Sequence, residues 1–139
     1  MNCYLDSSVA LDWILHLKSV EPIGLKKIET IVSSELLEIE CSRVLDRYRL
    51  QALLDDVKVS ESKKKLKSLL ESIGLIEITE KIKKRAKDSF PTIIGTLDAI
   101  HLSSALLWAE ELRKPFVLLT RDKQMKVCSE ALGIEVLGL

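Results

Sequence analysis

The stretch FVLLT, residues 116–120, constrains the fold more than any other. It is apolar without alternation until its last residue, so a strand made from it is covered on both faces. Strands of that kind belong to parallel sheets with helices on either side. The rest of the chain alternates to match. Cys3 to Leu5 form a short strand, and a helix follows with Ser7 or Ser8 as its cap. Ile28, Ile31 and Val32 suggest a second strand, SSE (residues 33–35) supplies cap chemistry, and a long helix comes next. DDVKVSESKKKLKSLLESIG (55–74) is a helix stopped by Gly74, LIEIT (75–79) a strand, and EKIKKRAKDSF (80–90) a short basic helix ahead of Pro91. A loop through Gly95 leads to the helix that opens at Thr96 and ends before Pro115. After FVLLT come a helix stopped by Gly133 and a last strand, IEVLGL (134–139). This order predicts an α/β fold with a central parallel sheet.

With 139 residues, 47% of them hydrophobic, the chain can bury one core, so residues 1–139 are read as a single domain. Basic and acidic residues number 21 each, so no whole-surface field draws nucleic acid, and any such site must be a local patch. Cys3, Cys41 and Cys128 are odd in number and far apart, which excludes a disulfide framework and a zinc spacing. No signal peptide and no bilayer-length apolar run are recognisable, so the expected location is the cytoplasm, with no membrane partner. No G-x-G-x-x-G follows a strand, which removes dinucleotide binding.

Four carboxylates stand at strand ends, at a helix start and on an apolar helix face. Asp6 directly follows the first strand, and Asp122 follows FVLLT with only Arg121 between. In parallel α/β sheets ligands sit beyond the carboxyl ends of the strands, so both acids belong to the ligand edge. Each would also serve as an ordinary helix cap. Glu40 shares a helix face with Leu36, Leu37 and Val44, where a carboxylate is costly unless paired or bound to metal. Arg43, three residues on, is the available salt-bridge partner. Asp98 begins an apolar helix, with His101 one turn later, and His101 alone reads as a satisfied core histidine. If the four acids converge, their repulsion requires cations. An all-oxygen set favours Mg²⁺ or Mn²⁺.

These residues carry a resemblance. YLDSSVAL around Asp6, SSELLEIECSRVL around Glu40, TLDAIHLSSAL around Asp98 and LLTRDKQM around Thr120 and Asp122 resemble, in order and spacing, the motifs of PIN domains, a family of metal-dependent ribonucleases. Within it the chain is most similar to VapC-type toxins of toxin–antitoxin pairs. The resemblance implies a three-layer α/β/α domain around a parallel sheet of four or five strands. It implies Asp6, Glu40, Asp98 and Asp122 as catalytic metal ligands, Ser8 and Thr120 as small polar residues orienting ligands or waters, and Arg43 as a basic residue beside the second acid. The expected activity is Mg²⁺- or Mn²⁺-dependent hydrolysis of RNA phosphodiester bonds, leaving a 5′-phosphate and a 3′-hydroxyl. The expected partners are an RNA substrate, a cognate antitoxin and a second copy in a homodimer.

Lys63 to Lys67 and Lys81 to Lys87 are the local patches available for RNA, although SESKKKLKS (60–68) also reads as a solvated helix face. Trp13, Ile14, Leu15, Leu36 and Leu37 are candidates for antitoxin docking, with ordinary core as the blander reading. A binding module without turnover, and a metal-dependent phosphatase or DNase, are the competing functions.

Overall fold

A computed structural model describes residues 1–16 and 28–138. Its elements are β1 (Asn2–Leu5), α1 (Ser7–His16), β2 (Thr30–Ser34), α2 (Leu36–Leu50), α3 (Asp56–Ser72), β3 (Gly74–Ile76), α4 (Glu80–Lys87), α5 (Thr96–Leu112), β4 (Phe116–Leu119), α6 (Lys123–Ala131) and β5 (Glu135–Leu137). The strands form one five-stranded sheet in the order β3-β2-β1-β4-β5, parallel at every pairing. The expected three-layer arrangement holds, with five strands rather than four.

The layers follow from connection handedness. Successive strands β1, β2 and β3 step one way across the sheet, and β4 and β5 step the other way. Right-handed crossovers therefore put the helices of the first half on one face and those of the second half on the opposite face. Side chains of β1 and β4 alternate between the two. Cys3, Leu5, Val117 and Leu119 pack with Val9, Trp13, Leu37, Cys41, Leu45 and Leu66 from α1, α2 and α3. Tyr4 and Leu118 pack with Leu102, Ala105, Met125 and Cys128 from α5 and α6. Both central strands are buried throughout except at Phe116, as the unbroken apolar run requires.

Boundaries differ from the sequence reading for identifiable reasons. Helix α1 starts at Ser7, directly after Asp6, and the hydroxyls of Ser7 and Ser8 turn to carboxylates rather than capping it. Gly74 does not stop α3; the helix ends at Ser72 and Gly74 opens β3. A Cβ there would lie 3.1 Å from Val32 Cγ1, so glycine permits the close pairing of β3 with β2. LIEIT contributes only Leu75 and Ile76 to a strand, because Thr79 caps α4 through Oγ1, which accepts from the Ile82 N–H. Gly133 does end α6, at φ +78. Leu139, the end of the IEVLGL reading, lies outside the described residues.

Trp13 is 3% exposed, Ile14 1% and Leu37 0%, so these three are core and offer no docking surface; Leu15 and Leu36 are half-buried. Among the described residues no helix is long and apolar enough to cross a membrane.

Candidate active site

The strand order reverses between β1 and β4, whose register sets Leu5 beside Leu119. The residues that leave these two strands therefore emerge side by side at the switch point, where open α/β sheets bind ligands. Asp6 leaves β1, its N–H bonded to the Leu119 carbonyl at 3.0 Å. Thr120, Arg121 and Asp122 leave β4.

Asp6 is 3% exposed and organised through a single oxygen. The Ser8 hydroxyl donates to its Oδ2 at 2.6 Å and the Thr120 hydroxyl donates to the same atom at 2.8 Å. Each hydroxyl in turn accepts a backbone N–H, Ser8 from Arg121 at 2.9 Å and Thr120 from Asp122 at 3.1 Å. This is the arrangement a buried carboxylate needs, since donors offset its desolvation. Oδ1 has no protein donor among the described residues. Arg121 is also held by Asp12 of α1 at 2.6 Å, which ties the loop after β4 to the first helix.

Asp122 caps α6, Oδ1 accepting from the Met125 N–H at 2.9 Å. Its capping role and its nearness to the other acids are both present. Asp98, in the first turn of α5, registers that nearness. Burial first, then the charges of Asp122 and Asp6 and more weakly that of Glu40, push its carboxyl up to about 6, while His101 pulls the other way. Carboxylates from three chain segments thus bear on Asp98.

Glu40 does not pair with Arg43. Its Oε1 lies 2.5 Å from Nε2 of His101, and its Oε2 accepts from the Ser7 hydroxyl at 3.2 Å. His101 is fully buried, and its Nδ1 lies 2.9 Å from the Tyr4 hydroxyl. Burial alone would lower the His101 pKa, but the bond to Glu40 and the charges of Glu40, Asp6 and Asp98 raise it above the ordinary value. Arg43 is exposed on α2. The acid within reach of its charge is Asp46, which is held low first by a hydrogen bond from Arg49 and more weakly by Arg43. A helix neighbour at i+3 was a weaker partner for Glu40 than a histidine from the opposite layer.

Of the residues expected from sequence, Asp6, Ser8, Thr120 and Asp122 share one hydrogen-bonded cluster. Asp98 joins it electrostatically, and Glu40 is linked through Ser7 to the start of α1. Arg43 stands apart. Sequence reading missed Tyr4, Ser7 and the role of His101 as Glu40's partner. The available signal was a histidine one turn beyond Asp98 on a helix with no other polar residue facing inward there but serine.

Among the described residues no three His, Cys, Asp or Glu side chains form a ready-made coordination cage. The donor chemistry nevertheless fits a hard cation. Among the described residues Asp6 Oδ1 and the Asp98 carboxyl accept no protein hydrogen bond, hydroxyls flank Asp6, and the nearby Cys41 thiol is held protonated by burial. Mg²⁺ keeps several waters and needs few direct carboxylates.

A family model for the PIN domain matches residues 3–130. The chain belongs to the PIN domain family. PIN domains are typically nucleases and generally use divalent metal ions. Among solved structures this PIN domain is similar to VapBC2 from Rickettsia felis, bound in that crystal to a DNA fragment from its promoter. The TM-score is 0.67 with 18% identity, over 100% of this chain and 99% of that one, which is a likeness of fold. A search of curated proteins returns no significant match.

Proposed function

We propose that this PIN domain is a Mg²⁺- or Mn²⁺-dependent endoribonuclease and the toxin of a type II toxin–antitoxin pair. The observation that supports the reading is that Asp6 and Asp122 leave adjacent strands at the switch point, and that their charges and that of Glu40 all reach Asp98, whose carboxyl burial first and then these three charges hold up near 6. Such a group of acids is poorly tolerated without a cation. A bound divalent ion would supply an activated water and neutralise charge on a phosphate.

The chain's own residues have separate tasks in this reading. Ser8 and Thr120 hold Oδ2 of Asp6, so the remaining oxygen is presented in one orientation. Asp98, mounted on the buried helix α5, supplies the second ligand, and packing keeps it in place. Asp122 contributes directly or through water while capping α6. Glu40 completes the site, held by His101 and Ser7. Hydrolysis by water leaves a 5′-phosphate and a 3′-hydroxyl. Exposed Lys81, Lys84 and Lys87 of α4 and Lys63, Lys64 and Lys67 of α3 are available to contact the RNA backbone.

The partner part of the reading rests on the likeness to VapBC2. A cognate antitoxin would restrain the nuclease, and a homodimer is the expected assembly.

The test is incubation of purified protein with total cellular RNA under Mg²⁺, Mn²⁺ or EDTA, beside Asp98→Asn. Single-stranded DNA and a phosphomonoester run in parallel. Discrete RNA fragments that need metal and disappear in the variant support the reading. Hydrolysis confined to DNA or the monoester, or full activity in Asp98→Asn, would overturn it.

A further inference from the structure

Glu40 stands on α2 and Asp98 on α5, and these helices lie on opposite faces of the sheet. Nothing in either helix alone fixes the distance between the two acids. A buried chain of side chains does so. Tyr4 of β1 reaches Nδ1 of His101, whose Nε2 meets Oε1 of Glu40, while Ser7 donates to Oε2. The Tyr4 and His101 rings also meet edge to face, 5.8 Å between centroids at 81°. Tyr4 and His101 are both 0% exposed, whereas 13% of the Glu40 side chain faces solvent. The chain thus runs from the sheet interior to the rim of the acid cluster and ends on a carboxylate.

His101 lies one turn beyond Asp98 on the same helix, so α5 presents a carboxylate to the groove and a ring to the core from one face. Any shift of Glu40 relative to Asp98 must stretch the His101 contact or tilt a helix whose next turn, Leu102 to Ala105, is wholly buried. Both carboxylate oxygens of Glu40 are engaged by protein groups, and this limits rotation of the carboxylate about its own axis. Groups outside a metal's immediate ligands that orient them in this way commonly change metal affinity or activity when removed.

We infer that His101 and Tyr4 are positioning residues, which hold Glu40 at a fixed place relative to Asp98 so that the acid cluster is formed before a divalent cation arrives. Neither touches the cation or the substrate. The inference rests on the metal-dependent reading given above. A role confined to packing would instead show in stability alone.

The experiment uses the full chain as wild type, Tyr4→Phe, His101→Gln and His101→Leu. Calorimetric titration with Mn²⁺ and RNA cleavage under saturating Mn²⁺ are read beside thermal unfolding and circular dichroism. Glutamine places an amide nitrogen near the position of Nε2 and keeps the bond to Glu40, whereas leucine removes it. The expected result is a roughly 10-fold weaker Mn²⁺ affinity in Tyr4→Phe and up to about 100-fold in His101→Leu, with substantial rescue in His101→Gln. The cleavage loss should fall on kcat rather than KM. A second readout is the ¹⁵N resonance of His101 Nε2, which should move in Glu40→Gln and on adding Mg²⁺ to the wild type.

Folded Tyr4→Phe and His101→Leu proteins that bind Mn²⁺ and cut RNA like the wild type would overturn the inference and leave the nuclease reading intact. If His101→Leu fails to fold, Tyr4→Phe and His101→Gln decide the matter. Weakened Mn²⁺ binding in the variants, with no RNA cleavage by the wild type, would uphold the positioning role and remove the ribonuclease reading. A wild type that binds no divalent ion would remove both.

Discussion

The Thr120 hydroxyl donates to Oδ2 of Asp6 at 2.8 Å, joining the residue after β4 to the residue after β1 across 114 positions of sequence. The same hydroxyl accepts the Asp122 N–H, so one small side chain orients the first acid and anchors the backbone of the fourth. Thr120→Val keeps the shape and removes the hydroxyl. Divalent-ion affinity and cleavage should fall about 10-fold, and stability by roughly 1–3 kcal/mol because the buried Asp6 carboxylate and the half-buried Asp122 N–H each lose a bond. Mn²⁺ titration and urea unfolding measure the two effects separately.

Asp98 makes the stability of the metal-free protein depend on pH in a defined sense. Its folded carboxyl titrates at about 6 against an ordinary value of 3.8, so the folded state holds the proton more tightly than the unfolded state. The stabilisation is complete below the unfolded value and is lost as pH rises through about 6. The raised pKa of His101 acts in the same direction, its contribution being present below 6.5 and lost as pH rises through its folded value. In EDTA, Asp98→Asn should therefore unfold at a higher temperature than wild type at pH 7.5, by roughly 2–4 °C, and this advantage should shrink toward pH 4. Equal melting temperatures at pH 7.5 would count against the acid cluster.

Divalent-ion affinity should follow the same group with the opposite slope. If Asp98 is a ligand as proposed, a proton on it would compete with the cation, so Mn²⁺ binding should weaken as pH falls below about 6. Titrations at pH 5, 6, 7 and 8 check this, and Asp98→Asn should flatten the profile.

Asp122 caps α6 and, in the proposed function, also contributes to the metal site, and substitutions can separate the two. Asparagine still accepts the Met125 N–H but carries no charge. Asp122→Asn should keep the stability of α6 to within about 0.5 kcal/mol while Mn²⁺ affinity falls, whereas Asp122→Ala should lose the cap as well, costing about 1 kcal/mol. Urea midpoints beside metal titrations distinguish the variants.

Trp13 lies in the core between α1 and the sheet, not on a docking surface. Trp13→Ala should cost about 3–5 kcal/mol in unfolding free energy. Arg43→Ala, by contrast, removes an exposed side chain that does not hold Glu40 and should change stability by less than about 0.5 kcal/mol. Denaturant unfolding of both variants checks the pair.

Much of the architecture was legible in order and periodicity. FVLLT required cover on both faces, and the core clusters on either side of Val117 and Leu118 supply it. Asp6 and Asp122 were readable because a residue that leaves a parallel strand at its carboxyl end has only one edge to occupy. Boundaries were less legible where a residue served a distant partner. Gly74 looked like a helix stop, but its use is set by Val32 on the neighbouring strand. Ser7 and Ser8 looked like caps, but their hydroxyls donate hydrogen bonds to carboxylates 33 and 2 residues away.

The sequence by itself determined the parallel α/β class, the positions of the acids at strand ends and helix faces, and the membership signalled by four motifs in register. Those are local properties, written in periodicity and spacing. Only the tertiary structure decided what each acid pairs with. Glu40 had Arg43 one helical turn away, yet its partner is His101, 61 residues distant on the opposite layer. The reason is dielectric as much as geometry. Arg43 points into water, where an exposed pair gains little, while His101 is buried, and its ring nitrogens need partners, which β1 and α2 bring from distant sequence.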